Sequence, residues 1–193
     1  YKWAYQKRLS GDFDSVWKVA DEPYDRDAAP TKIPGAAIEF EIGNLGEVES
    51  ATLDIATAIC TLKWKSGTTF SIYVDATQPI PRYEWNGTSP MPMLKAPGYV
   101  KNSIQSSENE VVGGSDLRRL GYPEGEIITR KNLTTYRQKG WKTFEYEAAV
   151  NFSNTKTGSE GCFTITSHYT DKPKVTSAGE MVKKAIKTSF EES

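Results

Sequence analysis

Leu62-Lys63-Trp64-Lys65-Ser66-Gly67-Thr68-Thr69-Phe70-Ser71-Ile72-Tyr73-Val74 is the stretch on which the fold class turns. Lys65-Ser66-Gly67 supplies a hairpin loop, and after it Phe70, Ile72 and Val74 recur at every second position. A period of two places these side chains on one face of a strand, toward a core. Upstream, residues 47–64 carry apolar groups on both parities: Leu53, Ile55 and Ile59 on one, Ala56, Ala58, Cys60, Leu62 and Trp64 on the other. That predicts one strand covered on both faces, or one whose parity is flipped by a bulge. Further upstream, Ile38, Phe40 and Ile42 alternate with Glu39 and Glu41 before the turn residues Gly43-Asn44-Leu45-Gly46.

The pattern returns near the other end. Phe144, Tyr146, Ala148, Val150 and Phe152 form one face of a strand whose other face carries Glu145 and Glu147, and a polar loop over 154–161 leads to Phe163, Ile165 and Tyr169 on a returning strand. Weaker strands are expected over 3–9, 13–19, 99–104 and 125–129. About eight strands with irregular connections predict a mainly β fold: a two-sheet antiparallel sandwich or a jelly-roll-like barrel. Residues 115–121 read as a short internal helix, capped at Ser115 and stopped by Gly121 and Pro123. Ser177 and Glu180 have capping-box spacing, and Met181, Val182, Ala185, Ile186 and Phe190 follow at helical intervals, so an amphipathic C-terminal helix is expected. The chain therefore divides into a β-rich domain, residues 1–175, and a helix over 176–193, either docked on it or leading to a neighbouring domain. Trp3, Trp17, Trp64 and Trp141 lie in or beside expected strands, and core packing is the default for each.

At 193 residues the chain is long enough to bury a core, and its 24 Lys and Arg against 25 Asp and Glu leave a net charge of -1. No basic stripe stands ready to neutralise phosphates, so nucleic acid is not an expected partner. No apolar run approaches the ~20 residues of a spanning helix, so membrane insertion is not expected either. A first residue Tyr1 in place of Met fits a domain excised from a longer polypeptide or one that has lost a leader. Cys60 and Cys162 sit near the centres of two apolar runs and read either as buried thiols or as a disulfide. Sequons at Asn86, Asn132 and Asn151 are candidate glycosylation sites that lean toward an extracellular or surface setting.

Catalytic equipment is sparse. A single histidine, His168, rules out a multi-His metal site and restricts any nucleophilic triad to that residue. The chain has no Gly-rich phosphate loop, C-x-x-C pair or nucleophile elbow, and no cofactor is expected. Paired carboxylates, Glu39 with Glu41 and Glu145 with Glu147, would stand about 7 Å apart on a strand face, where they serve either as a solvated surface or as a glycan-cleaving pair. The more suggestive constellation is Arg82, Tyr83, Trp85 and Asn86, in a stretch stiffened by Pro79 and Pro81. On a loop, such residues offer aromatic area and directional hydrogen bonds to a sugar or a protein; folded back, the two rings would cap the core.

At the level of architecture alone, an all-β unit of this size with long Pro-containing excursions over 20–35 and 76–98 is similar to the projecting domains of viral capsids and to secreted carbohydrate-binding modules. That resemblance implies a non-enzymatic recognition domain, on a virion surface or outside the cell, that engages a protein or glycan receptor. The alternative is a secreted polysaccharide-acting hydrolase or lyase using paired carboxylates. A third reading is a structural module that joins copies through its edge strands, with a two-fold homodimer as the default assembly.

Overall fold

Alternation of apolar and polar residues builds one long antiparallel sheet and a small second one. The structure, a computed structural model, describes residues 1–20, 33, 35–99, 117, 118 and 121–190. The small sheet pairs β1 (Ala37–Phe40) with β6 (Pro92–Lys95). The large one contains β2 (Val48–Asp54), β3 (Ile59–Trp64), β4 (Thr69–Val74), β5 (Pro81–Asn86), β7 (Glu126–Arg130), β8 (Leu133–Lys139), β9 (Phe144–Asn154) and β10 (Gly158–Tyr169). Their spatial order is β2-β3-β4-β5-β10-β9-β8-β7, antiparallel throughout. The mainly β, sandwich-like expectation holds.

The registers sort side chains onto two faces. Leu62, Phe70, Trp85 and Gly161 belong to the front, with Tyr83, Phe152, Val150, Tyr146 and Tyr136. The β1–β6 sheet lies over them: Phe40 stacks within 5.1–5.6 Å, centroid to centroid, of Phe70, Tyr83 and Trp85. Trp64, Tyr83, Trp85 and Tyr136 are the largest fully buried side chains of this core. Gly161 makes room for Tyr83, since a Cβ there would lie 2.3 Å from the phenol oxygen.

The back face carries the helix α3 (Ala178–Ala185), which packs on β8, β9 and β10. Its start is the expected capping box: Ser177 Oγ accepts from Glu180 N at 3.2 Å, and Glu180 Oε2 accepts from Ser177 N at 3.3 Å. Ala178, Val182 and Ala185 bury against Ala149 and Cys162. Beyond the helix, Arg82 Nη1 donates to Thr188 O at 3.0 Å, Phe190 N donates to Glu160 Oε2 at 2.9 Å, and Phe190 stacks edge-on to Tyr73. The C-terminal segment is thus fastened to β4, β5 and β10.

Several expectations are corrected. Residues 3–9 and 13–19 are helical, in α1 (Lys2–Leu9) and α2 (Phe13–Ala20), which pack on each other. Phe13, Val16, Trp17 and Ala20 stand at i, i+3, i+4 and i+7, and Asp12 caps α2 by accepting from Ser15 N at 3.1 Å and Ser15 Oγ at 2.8 Å. Helical spacing with a cap outweighs the aromatic content that suggested strands. Residues 47–64 are two strands: Asp54 Oδ1 accepts from Ala56 N at 2.8 Å, closing a turn in which Ala58 has φ 58°. Leu53 then faces Cys60 across the hairpin, so apolar residues of opposite parity share the front. Of the four tryptophans expected in or beside strands, Trp64 alone is core; Trp3, Trp17 and Trp141 are about half-exposed. Residues 100–104, and 115, 116, 119 and 120 of the expected internal helix, lie outside the described residues; Leu117 and Arg118 form a turn, with Tyr122 N donating to Leu117 O at 2.9 Å.

Candidate functional site

Four adjacent strands, β7 to β10, bring the charged back-face residues together. Register pairs Glu126 with Arg137, Arg137 with Glu147, and Glu147 with Thr166 in one row; Lys139, Glu145 and His168 form the next. Residues directly opposite on one face of an antiparallel pair touch, so each row is a run of contacts. His168 Nε2 lies 2.8 Å from Glu145 Oε1, and both groups are largely buried. Arg137 Nη2 donates to Glu147 Oε2 at 3.0 Å, and Gly179 N donates to Glu147 Oε1 at 2.8 Å. Glu147 therefore joins the sheet to the start of α3, where a carboxylate satisfies an orphan N–H and meets the positive end of the helix. Its neighbours hold the Arg137 guanidinium above its usual range, the hydrogen bond to Glu147 contributing most.

These groups line a groove of about 310 Å³, walled on the open side by Thr170, Lys172 and Lys174 of the segment leading into α3. Thr166 and Ser177 add hydroxyls. The expectation that Glu145 and Glu147 form a solvated face fails, since both are engaged and Glu147 is buried. Glu39 and Glu41 are also engaged: Glu39 lies 3.3 Å from Lys95, and Glu41 accepts from Gly43 N at 3.0 Å. Among the described residues no group of three or more His, Cys, Asp or Glu side chains could hold a metal ion. No described helix is long and apolar enough to cross a membrane. A second groove, about 440 Å³, lies at the edge of the front core and is apolar, lined by Ile38, Val74, Pro79, Pro81, Phe163 and Ile165 among others.

The Arg82–Asn86 constellation is not a recognition loop. It is β5, a central strand between β4 and β10, and Tyr83 and Trp85 are buried in the front core. Arg82 holds the C-terminal segment, and Asn86 Oδ1 accepts from Thr157 Oγ1 at 2.7 Å. The missed signal is the alternation of Tyr83 and Trp85 with Arg82 and Glu84, which is a strand period despite the flanking prolines. The groove was missed because it joins β8, β9, β10 and the approach to α3, which no local spacing links.

The disulfide is excluded. Cys60 pairs with Ile72 on the front face, whereas Cys162 pairs with Arg82 on the back, with β4 and β5 between them. Three strand spacings amount to about 14 Å, twice the reach of a disulfide; both thiols are free. Of the sequons, Asn132 is exposed at the β7–β8 turn, Asn86 is half-buried, and Asn151 is buried in β9 where no glycan could be attached to the folded chain.

No protein-family model matches the chain, and no curated protein is significantly similar to it. A solved structure described as a putative kojibiose phosphorylase from human microbiome is similar at 13% identity and a TM-score of 0.47, over 74% of this chain and 21% of that one. The chain thus spans about a fifth of that protein's length.

Proposed function

We propose that the protein is a non-enzymatic recognition domain whose back-face groove binds an acidic glycan. The observation that carries the reading is the division of labour among the groove's charges. Glu145 is paired with His168, and Glu147 with Arg137 and Gly179, which leaves Lys172 and Lys174 with no salt bridge to a described residue. A sugar carrying a carboxylate or sulfate meets those two ammonium groups, and its hydroxyls meet Thr166, Thr170 and Ser177. A volume of about 310 Å³ suits one or two sugar rings. Carboxylates already engaged by His168, by Arg137 and by a helix N–H make a poor acid–base pair, which supports recognition over hydrolysis. Displayed on a virion or outside the cell, such a groove would serve attachment to a receptor glycan.

A glycan array followed by calorimetry tests this, with a reducing-end assay run in parallel. Binding concentrated on acidic glycans is expected, weakened on the order of 10-fold in Lys172→Ala/Lys174→Ala while the fold is kept. Equal binding by that variant would overturn the reading. Release of reducing ends would move the protein to the polysaccharide-acting class, with His168 and Glu145 as the residues to replace first.

A further inference from the structure

The two ends of the large sheet are unlike, and one matches itself. β2, at one end, holds Glu49 and Asp54 and no basic residue, and its pairing with β3 shifts register between Val48 and Ser50. Such a bulge, with acidic side chains, disfavours further pairing. β7, at the other end, reads Glu126-Ile127-Ile128-Thr129-Arg130; it pairs with β8 without a register break, and all five residues are exposed. Among the described residues no strand lies beyond it.

We propose that β7 is a homodimerisation edge, taking β7 of a second copy of this chain in antiparallel register about a two-fold axis through Ile128. That register follows from charge. With Ile128 opposite its own copy, Glu126 of each chain faces Arg130 of the other, and Ile127 faces Thr129 on the opposite face. Neither Glu126 nor Arg130 forms a salt bridge with a described residue. The cross-strand row that already runs Glu126, Arg137, Glu147 would gain the partner's Arg130 at its open end, making four charges of alternating sign. A shift by one residue in one direction puts Glu126 opposite Thr129 and loses both ion pairs, and in the other puts Glu126 opposite Lys131, which lies beyond the strand in the β7–β8 turn with φ 56°. Ile127 and Ile128, 49% and 38% exposed, lose water contact in the pair. Five residues give a contact only about 17 Å long, so association is weak, with a Kd on the order of 10–1,000 µM.

Sedimentation velocity on the whole chain across that concentration range tests the proposal, with circular dichroism confirming the fold of each variant. Wild type is expected to pass from monomer to dimer as concentration rises. Arg130→Glu, which sets Glu against Glu126 twice, should weaken association by about 10-fold or more, and Glu126→Arg added to it should restore the dimer. Glu49→Lys, on the far edge, should change nothing. If Glu126→Arg with Arg130→Glu unfolds, Ile128→Lys sets two ammonium groups face to face and should give the same loss. A wild-type chain monomeric throughout, a dimer indifferent to Arg130→Glu or to Ile128→Lys, a folded double variant that stays monomeric, or dissociation by Glu49→Lys would each overturn it.

Discussion

The front and back of the eight-stranded sheet share every backbone atom, yet the same strands hold an aromatic core on one side and a web of ions, hydroxyls and small residues on the other. Trp64, Trp85, Tyr83 and Phe70 interlock under the β1–β6 sheet, with Trp64 and Trp85 centroids 5.5 Å apart and Phe70 and Trp85 4.6 Å apart. Behind them Ala149 and Cys162 are small because α3 must come close, and Gly179 brings its backbone N–H within 2.8 Å of Glu147. Large rings remove apolar area from water and so supply stability; the back spends its positions on fixing a helix and shaping a groove. The difference teaches that one strand period can serve two purposes, since successive residues answer to different neighbours.

The sharpest way to break the contrast is to hollow out each side in turn. Trp85→Ala removes a fully buried ring surrounded by Phe40, Trp64 and Phe70, and should cost about 3–5 kcal/mol in a urea melt. A loss near that of an exposed aromatic would mean the front is not the stabilising side. Glu147→Ala strips the Gly179 N–H and the Arg137 guanidinium of their acceptor, and should cost roughly 1–3 kcal/mol, because Arg137 is half in water and its ion pair is screened. Glu147→Gln keeps one acceptor oxygen for Gly179 and should recover part of that loss. If Gln is as costly as Ala, the charge rather than the helix contact is what Glu147 contributes.

How far the sequence reveals this arrangement differs between the faces. Phe144 to Phe152 and Phe70 with Ile72 announce the front, because a core that is continuous across strands leaves an unbroken alternate-residue signal in each. The α3 cap was equally legible, as Ser177 and Glu180 act locally. Residues 13–19 read as a strand because four aromatic or β-branched residues in seven favour one by propensity, while Asp12 and the i, i+3, i+4 spacing favour a helix. The groove left little trace. Arg137, Glu145, His168 and Lys172 become neighbours only through register and a chain reversal, so composition marks them as surface charge and nothing more.

The smallest expected effect separates the faces without altering either core. Cys60 on the front is half-buried, whereas Cys162 is fully buried under α3, with its Sγ 3.5 Å from Val182 O. Burial pushes the Cys162 thiol up to about 11, Arg82 opposing and Glu160 adding to the rise. Burial under α3 keeps a disulfide reagent from Cys162 and its raised pKa keeps it a thiol, so at about pH 8 one thiol per folded chain should be labelled, the half-buried Cys60, and the second only as the protein unfolds. The sign of the accompanying stability change follows from proton counts. Above pH 9 the unfolded chain loses the Cys162 proton while the folded chain keeps it, so this contribution is full below about 9 and lost as pH rises through about 11. Cys162→Ala should flatten that part of the stability curve and leave Cys60 labelling unchanged. Two thiols reacting at equal rates in the folded state would mean that α3 lifts readily from β10, and the back face would then be the weaker of the two by far more than its small side chains imply.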